Sequence, residues 1–211
     1  MKKLISILLL SILLSCDNEK VLQLPEVNHS EITEVLDVSP GYIFYNVTKP
    51  DSTELNRKSL IISTNWLINV DKRLTIKQAL PSILFLQNKK RSAKMHKNEA
   101  AKNFFTCHNK QINSLGFIEF TDIYYHEETL EEYATKQNIK EYKKINFNSD
   151  SVFTNNKSIN IKDFTTLDST KTKIFLNFDK NMSFQKYISY KEQLIKLDST
   201  QINIDNDEFI Y

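Results

Sequence analysis

The stretch TKIFLNFDKNMSFQKYISYKEQLIKL, residues 172–197, changes its hydrophobic period once, and that change decides the fold. Up to Asp179 it is a short run of β-branched, aromatic and aliphatic residues, the pattern of a buried strand. From Ser183, a residue type suited to capping a helix N-terminus, the period lengthens. Phe184, Tyr187, Ile188, Leu194 and Ile195 then fall on one helical stripe, and Lys191 can lay its aliphatic stem along it. The following QINIDNDEFIY (201–211) predicts a strand, a turn at Asp205-Asn206-Asp207 and a terminal strand. Strand, helix and strand in so few residues close as a right-handed βαβ unit.

Upstream, residues 140–168 are polar, and INFNSDSVF (145–153) is the one strand expected there. EETLEEYATKQ (127–137) has acids in its first turn and a Leu130, Tyr133, Ala134 face, so it predicts a short surface helix whose Glu127, Glu128, Glu131 and Glu132 are solvated. LGFIEFTDIYY (115–125) alternates as one strand. Lys89 to Asn113 is basic and unpatterned and reads as an exposed loop or frayed helix. In LTIKQALPSILFLQNKKR (74–91), Ile76, Leu80, Ile83 and Leu84 keep helical spacing behind Thr75, with Pro81 either kinking the helix or starting a shorter one. Tyr42–Val47 and Leu60–Val70 read as strands, the second split into a hairpin at Thr64-Asn65. Strand-then-helix thus occurs twice, which points to a duplicated unit. The fold class is α/β or α+β, a small mixed sheet with a C-terminal βαβ unit. The chain divides into residues 1–15, 16–30 as a tether, an N-terminal α/β half over 31–140 and a C-terminal βαβ half over 141–211.

The first segment carries its own signal. Lys2-Lys3 precede an apolar run from Leu4 to Leu14, 11 residues long, where a bilayer crossing takes roughly 20. Basic start, short apolar core and small exit residue describe a secretory signal peptide. Leu13-Leu14-Ser15-Cys16 resembles the lipobox of bacterial lipoproteins. The resemblance implies cleavage between Ser15 and Cys16, acylation of Cys16 with diacylglycerol and a further acyl chain such as palmitate, and membrane attachment in the cell envelope through that anchor. Asp17-Asn18-Glu19 fits three readings: inner-membrane retention, surface export or a plain polar tether.

Composition excludes several classes. Without residues 1–15 the 28 basic residues fall to 26 and match the 26 acidic ones, which argues against nucleic acid as a partner. Two glycines, Gly41 and Gly116, are too few for a P-loop or a dinucleotide fingerprint, so no cofactor is expected. With Cys16 acylated, Cys107 has no partner for a disulfide within the chain. Cys107-His108 are adjacent, so on a strand their side chains point to opposite faces, and no catalytic residue is assigned. His29, His96, His108 and His126 are scattered, without the spacing of a metal site.

Two further resemblances bear on function. Asp-Ser-Thr at 51, 168 and 198 and Asp-Ser-Val at 150 resemble the acceptor motif of a bacterial envelope O-glycosylation system, which implies sugars on Ser52, Ser151, Ser169 and Ser199. Turn formation by Asp and Ser explains the same residues. Ile174–Asp179 followed by the Ser183–Leu197 helix is similar to the periplasmic domain of the ExbD/TolR biopolymer-transport family, in which a strand ending in Asp leads into a helix with a Tyr and a Lys-rich outer face. That family keeps a membrane helix with a proton-carrying Asp, whereas the apolar run here has no acid, so ion-driven work is not implied. The expectation is a non-enzymatic envelope module that binds an envelope protein or peptidoglycan. The alternative is a hydrolase of wall or surface glycans whose carboxylates need not be close in sequence.

Overall fold

A computed structural model describes residues 20–166, 172–197 and 202–211. Cys16, Ser15, Ser169 and Ser199 lie outside these residues. The chain opens with β1 (Glu26–Val27), then β2 (Val38–Tyr45), β3 (Thr53–Asn56), β4 (Asn65–Val70), helix α1 (Ile76–Arg91), β5 (Asn103–Asn109) and β6 (Ser114–Glu119). It continues with β7 (Tyr124–His126), α2 (Leu130–Lys136), β8 (Tyr142–Phe147), β9 (Val152–Thr154), β10 (Lys157–Ser158), β11 (Lys173–Phe178), α3 (Phe184–Ile195) and β12 (Ile204–Ile210). These strands form two mixed sheets of six, the first holding β1–β6 and the second β7–β12.

The two sheets repeat one plan. In the first, β2 pairs antiparallel with β3 and parallel with β4, and β4 leads through α1 to parallel β5. In the second, β8 pairs antiparallel with β9 and parallel with β11, and β11 leads through α3 to parallel β12. The βαβ unit expected at the C-terminus is therefore present, and it is duplicated. Asn69, Asp71 and Lys72 match Asn177, Asp179 and Lys180 at constant spacing, and Thr75 matches Ser183. The turn after the strand is the same in both: Arg73 N donates to Asp71 Oδ1 at 3.0 Å and Asn181 N to Asp179 Oδ1 at 2.8 Å.

The copies face each other around these turns. Ile76 N donates to Met182 O at 2.9 Å and Phe184 N to Leu74 O at 2.7 Å, while Lys77 N reaches Lys180 O and Gln185 N reaches Lys72 O. Each bond has its exchange partner, so the two repeats are related by a local two-fold. Both sheets and both long helices share one core. Tyr187 and Tyr190 of α3 pack on Phe178 and Phe147 of the second sheet, and Phe184 packs edge-on against Phe105 of the first at 5.2 Å. The outer face of the second sheet is covered by α2, whose Leu130 closes a smaller cluster with Phe175 and Phe209.

Several expectations change. Residues 103–109, inside the stretch expected to be a loop, form β5, a strand with every residue but His108 buried. Asn103, His108 and Asn109 mask the Phe-Phe-Thr-Cys run that a central strand needs. The single strand expected over 115–125 is two, since Phe120–Ile123 carries the chain from β6 into the second sheet. The change of sheet thus lies at 120–123, ahead of the 140/141 division. Leu60–Thr64 is a turn, so the hairpin is β2–β3 and not one at Thr64-Asn65. α1 runs unbroken through Pro81 from its Thr75–Gln78 capping box. The described part of the expected tether is docked: His108 N bonds to Pro25 O at 2.8 Å, and Gln185 bonds to both the N–H and the carbonyl of Glu26.

Candidate functional site

The turn expected at Asp205-Asn206-Asp207 is a β-bulge. β12 runs continuously from Ile204, but its register against β11 shifts between Ile174 and Leu176, so that Ile174 faces Ile204 and Leu176 faces Glu208. Bulges re-aim side chains and are frequent beside functional sites. This one distributes three carboxylates.

On the inner face, Glu208 is buried under α3. Its Oε1 pairs with Lys191 Nζ, and its Oε2 accepts from the Tyr187 hydroxyl at 2.8 Å. Tyr187 in turn lies 3.1 Å from the Tyr125 hydroxyl. Burial and then the charge of Glu208 push both tyrosines well above 10, so they remain hydroxyl donors. In the first sheet the strand position opposite Ile68 is Phe105, whereas the matching position opposite Leu176 is Glu208. The second repeat has placed an ion pair where the first keeps a ring.

On the outer face, Asp207 accepts from Tyr133 at 2.8 Å and lies 2.6 Å from His126 Nε2. Burial, reinforced by the bond to Asp207, pushes Tyr133 up to about 12. At the strand's start Asp205 pairs with Lys173 at 2.7 Å. Burial opposes its ionisation, but the bonds from Lys173 and the Asp207 N–H hold it below its ordinary 3.8. A general acid needs the opposite shift.

Beside Lys191 and Glu208 opens a cavity of about 360 Å³ with walls from Ile123, Leu176, Leu194, Ile195, Ile202 and Ile204. A smaller cavity of about 160 Å³ lies where His29–Ile32 and β6 meet the end of α3. Lys191 is thus not a surface lysine lying on an apolar stripe; its ammonium is inside. Ile195, expected on that stripe, is 46% exposed at the cavity mouth.

The first sheet offers a different feature on its outer face. Pro40, Tyr42, Phe44 and Leu67 are half-buried there, with Tyr42 and Phe44 stacked at 5.8 Å and Val38 exposed at the end of the strip. The corresponding face of the second sheet lies under α2.

The other sequence candidates are dispersed. Cys107 is buried in the core, and burial raises its thiol out of the reactive range. His108 on the opposite face contacts Asn113, and His29 contacts Gln111. Among the described residues no group of three His, Cys, Asp or Glu side chains could hold a metal ion. Glu128, Glu131 and Glu132 are used locally, by Lys136, Lys144 and the Thr129 cap. Ser52 and Ser151 sit in the equivalent hairpin turns of the two repeats, before β3 and β9. Ser151 Oγ is 3.2 Å from Asn148 Oδ1. Glu208 and its pairing with Lys191 escaped sequence reasoning, although a lysine inside an apolar helical stripe already calls for a buried partner. No helix among the described residues is long and apolar enough to cross a membrane. No protein-family model, curated protein or solved structure matches the chain.

Proposed function

We propose that the chain is a lipoprotein of the bacterial cell envelope, acylated at Cys16 after cleavage behind Ser15, that works as a non-enzymatic binding or assembly module with ExbD/TolR-like repeats. Its partner is an envelope protein or peptidoglycan. The observation that carries this reading is the apolar Val38, Pro40, Tyr42, Phe44, Leu67 strip on the outer face of the first sheet, exposed at Val38 and half-buried along the rest. A contiguous apolar strip of this kind marks an interaction surface. The repeat supports it from within, because the same face of the second sheet is occupied by a helix. Ser52 and Ser151 at hairpin tips, with Ser169 and Ser199, are the positions for O-linked sugars.

The hydrolase reading would draw on Asp205, Asp207 and Glu208. The bulge separates them onto two faces and engages each with a donor, and Asp205 is held ionised.

A photo-reactive residue in place of Phe44, in cells, tests the surface; the same group at the exposed Phe85 of α1 is the control. The expected result is a discrete adduct with an envelope protein or wall fragment from position 44, lost on Tyr42→Ser. Equal labelling from both positions removes the surface. Cys16→Ser is expected to shift the protein out of the acylated membrane fraction, and an unchanged membrane fraction removes the anchor.

A further inference from the structure

The cavity beside α3 has a feature that neither the fold nor the proposed docking strip uses. Lys191 is more than nine-tenths buried, and its ammonium carries three N–H donors. Among the described residues its one acceptor is Glu208 Oε1. Two donors remain, and Lys191 lines a cavity whose other walls are mostly aliphatic, with Asp205, Asn206 and Glu208 as the polar lining. Residues 198–201, between Leu197 and Ile202 of that wall, lie outside the described residues. A buried ammonium with unused donors is costly, so the site is built to receive an acceptor.

The neighbours select which acceptor. Glu208 already balances the charge of Lys191, and its other oxygen takes the Tyr187 hydroxyl. Asp205 at the rim is ionised and held by Lys173. An incoming carboxylate or phosphate would meet two negative charges and, among the described residues lining the cavity, no free positive one. A neutral carbonyl meets neither objection and accepts from Lys191 at once. Among the described residues the walls carry no aromatic ring on which a base could stack, while Ile123, Leu176, Leu194, Ile195, Ile202 and Ile204 offer methyl groups to a hydrocarbon chain.

We propose that this cavity binds an aliphatic acyl chain through its neutral ester or amide carbonyl, with Lys191 as the donor and the isoleucine and leucine walls holding the chain. Membrane glycerolipids supply such an ester, and acylated peptides supply such an amide. The site is independent of the chain's own anchor and of the docking strip.

The test uses the full-length protein in nanodiscs of ether-linked lipids, which carry no acyl carbonyl to occupy the site, labelled at its Ile and Leu methyls. It is titrated with 1-octanoylglycerol, N-octanoylglycinamide and octanoate, and the shifts of Leu194, Ile195 and Ile204 are read. Saturable shifts with the ester or the amide are expected, and octanoate should bind about tenfold more weakly or worse, because its charge meets those of Glu208 and Asp205. Saturation by the ester alone assigns a glycerolipid source, by the amide alone an acylated peptide, and by both the shared carbonyl. Lys191→Met should weaken the carbonyl probes by a similar factor. If that variant does not fold, Ile195→Trp, at an exposed position of the mouth, should block them with the ion pair intact. Absence of saturable shifts with ester and amide, binding indifferent to Ile195→Trp, or octanoate binding as well as the ester overturns the proposal.

Discussion

Thr75 and Ser183, the N-caps of α1 and α3, stand opposite each other as an antiparallel bridge. Each hydroxyl accepts from its own helix, Gln78 N for Thr75 and Lys186 N for Ser183, while the backbones on either side are exchanged between the repeats. One short segment in each copy therefore starts its helix and holds the other copy.

This arrangement makes the halves one folding unit. Phe184→Ala should cost about 3–5 kcal/mol, as ring truncation in a core does, because it empties the contact with Phe105 across the interface. Unfolding in urea, followed by Trp66 fluorescence in the first sheet and by far-UV circular dichroism, should stay a single coincident transition at a lower midpoint. Two separated transitions in the parent protein would show that the repeats fold apart.

The Lys191–Glu208 pair predicts a non-additive cycle. Removing one partner leaves a buried charge, a loss of about 3–5 kcal/mol for Lys191→Met. Adding Glu208→Leu to Lys191→Met should restore part of that loss, since apolar replacement removes both desolvation costs. Denaturant midpoints of the four proteins decide it; a double variant less stable than Lys191→Met contradicts the account.

Lys90, at the end of α1, is turned inward, where its ammonium reaches Thr64 O, Lys102 O and Asn103 Oδ1 and lies over the Trp66 ring. Burial lowers it from 10.5 to about 8. Between those values the unfolded chain binds more protons than the folded one, so this residue makes stability rise with pH from about 8 towards 10.5. Lysines carrying ¹³C-methyl groups should show one early titration, and Lys90→Met should remove both that signal and the rise.

Gly116 is needed for contact, and its φ is unexceptional. A Cβ there would stand 2.6 Å from Ser30 Cβ, while Ser30 Oγ ties Ile32 O and Phe117 O together. Gly116→Ala should cost about 1–3 kcal/mol through overpacking. Hydrogen exchange should locate the loosening at Phe117 N and the 28–32 segment, and uniform loosening would contradict a local clash.

How much of this could be read in the sequence depends on what each element had to satisfy. The terminal βαβ unit was legible because one strand and one helix show clean periods over Lys173–Ile195. The short helix over 130–136 was legible because its first-turn acids and its Leu130, Tyr133, Ala134 face are local in sequence; the Thr129–Glu132 capping box is seen only in the structure. β5 was hidden, since a strand buried on both faces loses its alternation and its Asn103 finds partners inside the fold. Asn103 N, for example, donates to Thr121 Oγ1. The bulge in β12 was read as a turn because Asp-Asn-Asp favours both, and only the register against β11 separates them. At the candidate site Lys191 was noticed for its stem, but Glu208 and the tyrosine chain depend on pairings across sheet and helix that no spacing encodes.

The docking of β1 has a mechanical consequence. Its backbone is zipped parallel to β5, while Gln185 holds Glu26 and the Glu192 carboxylate holds the amides of Asn28 and His29. Tension applied upstream of Lys20 would therefore be loaded in shear on the first sheet and on the helix of the second repeat together. β1 could not peel away one bond at a time without straining both copies, so a load on the chain ahead of it passes into the whole molecule.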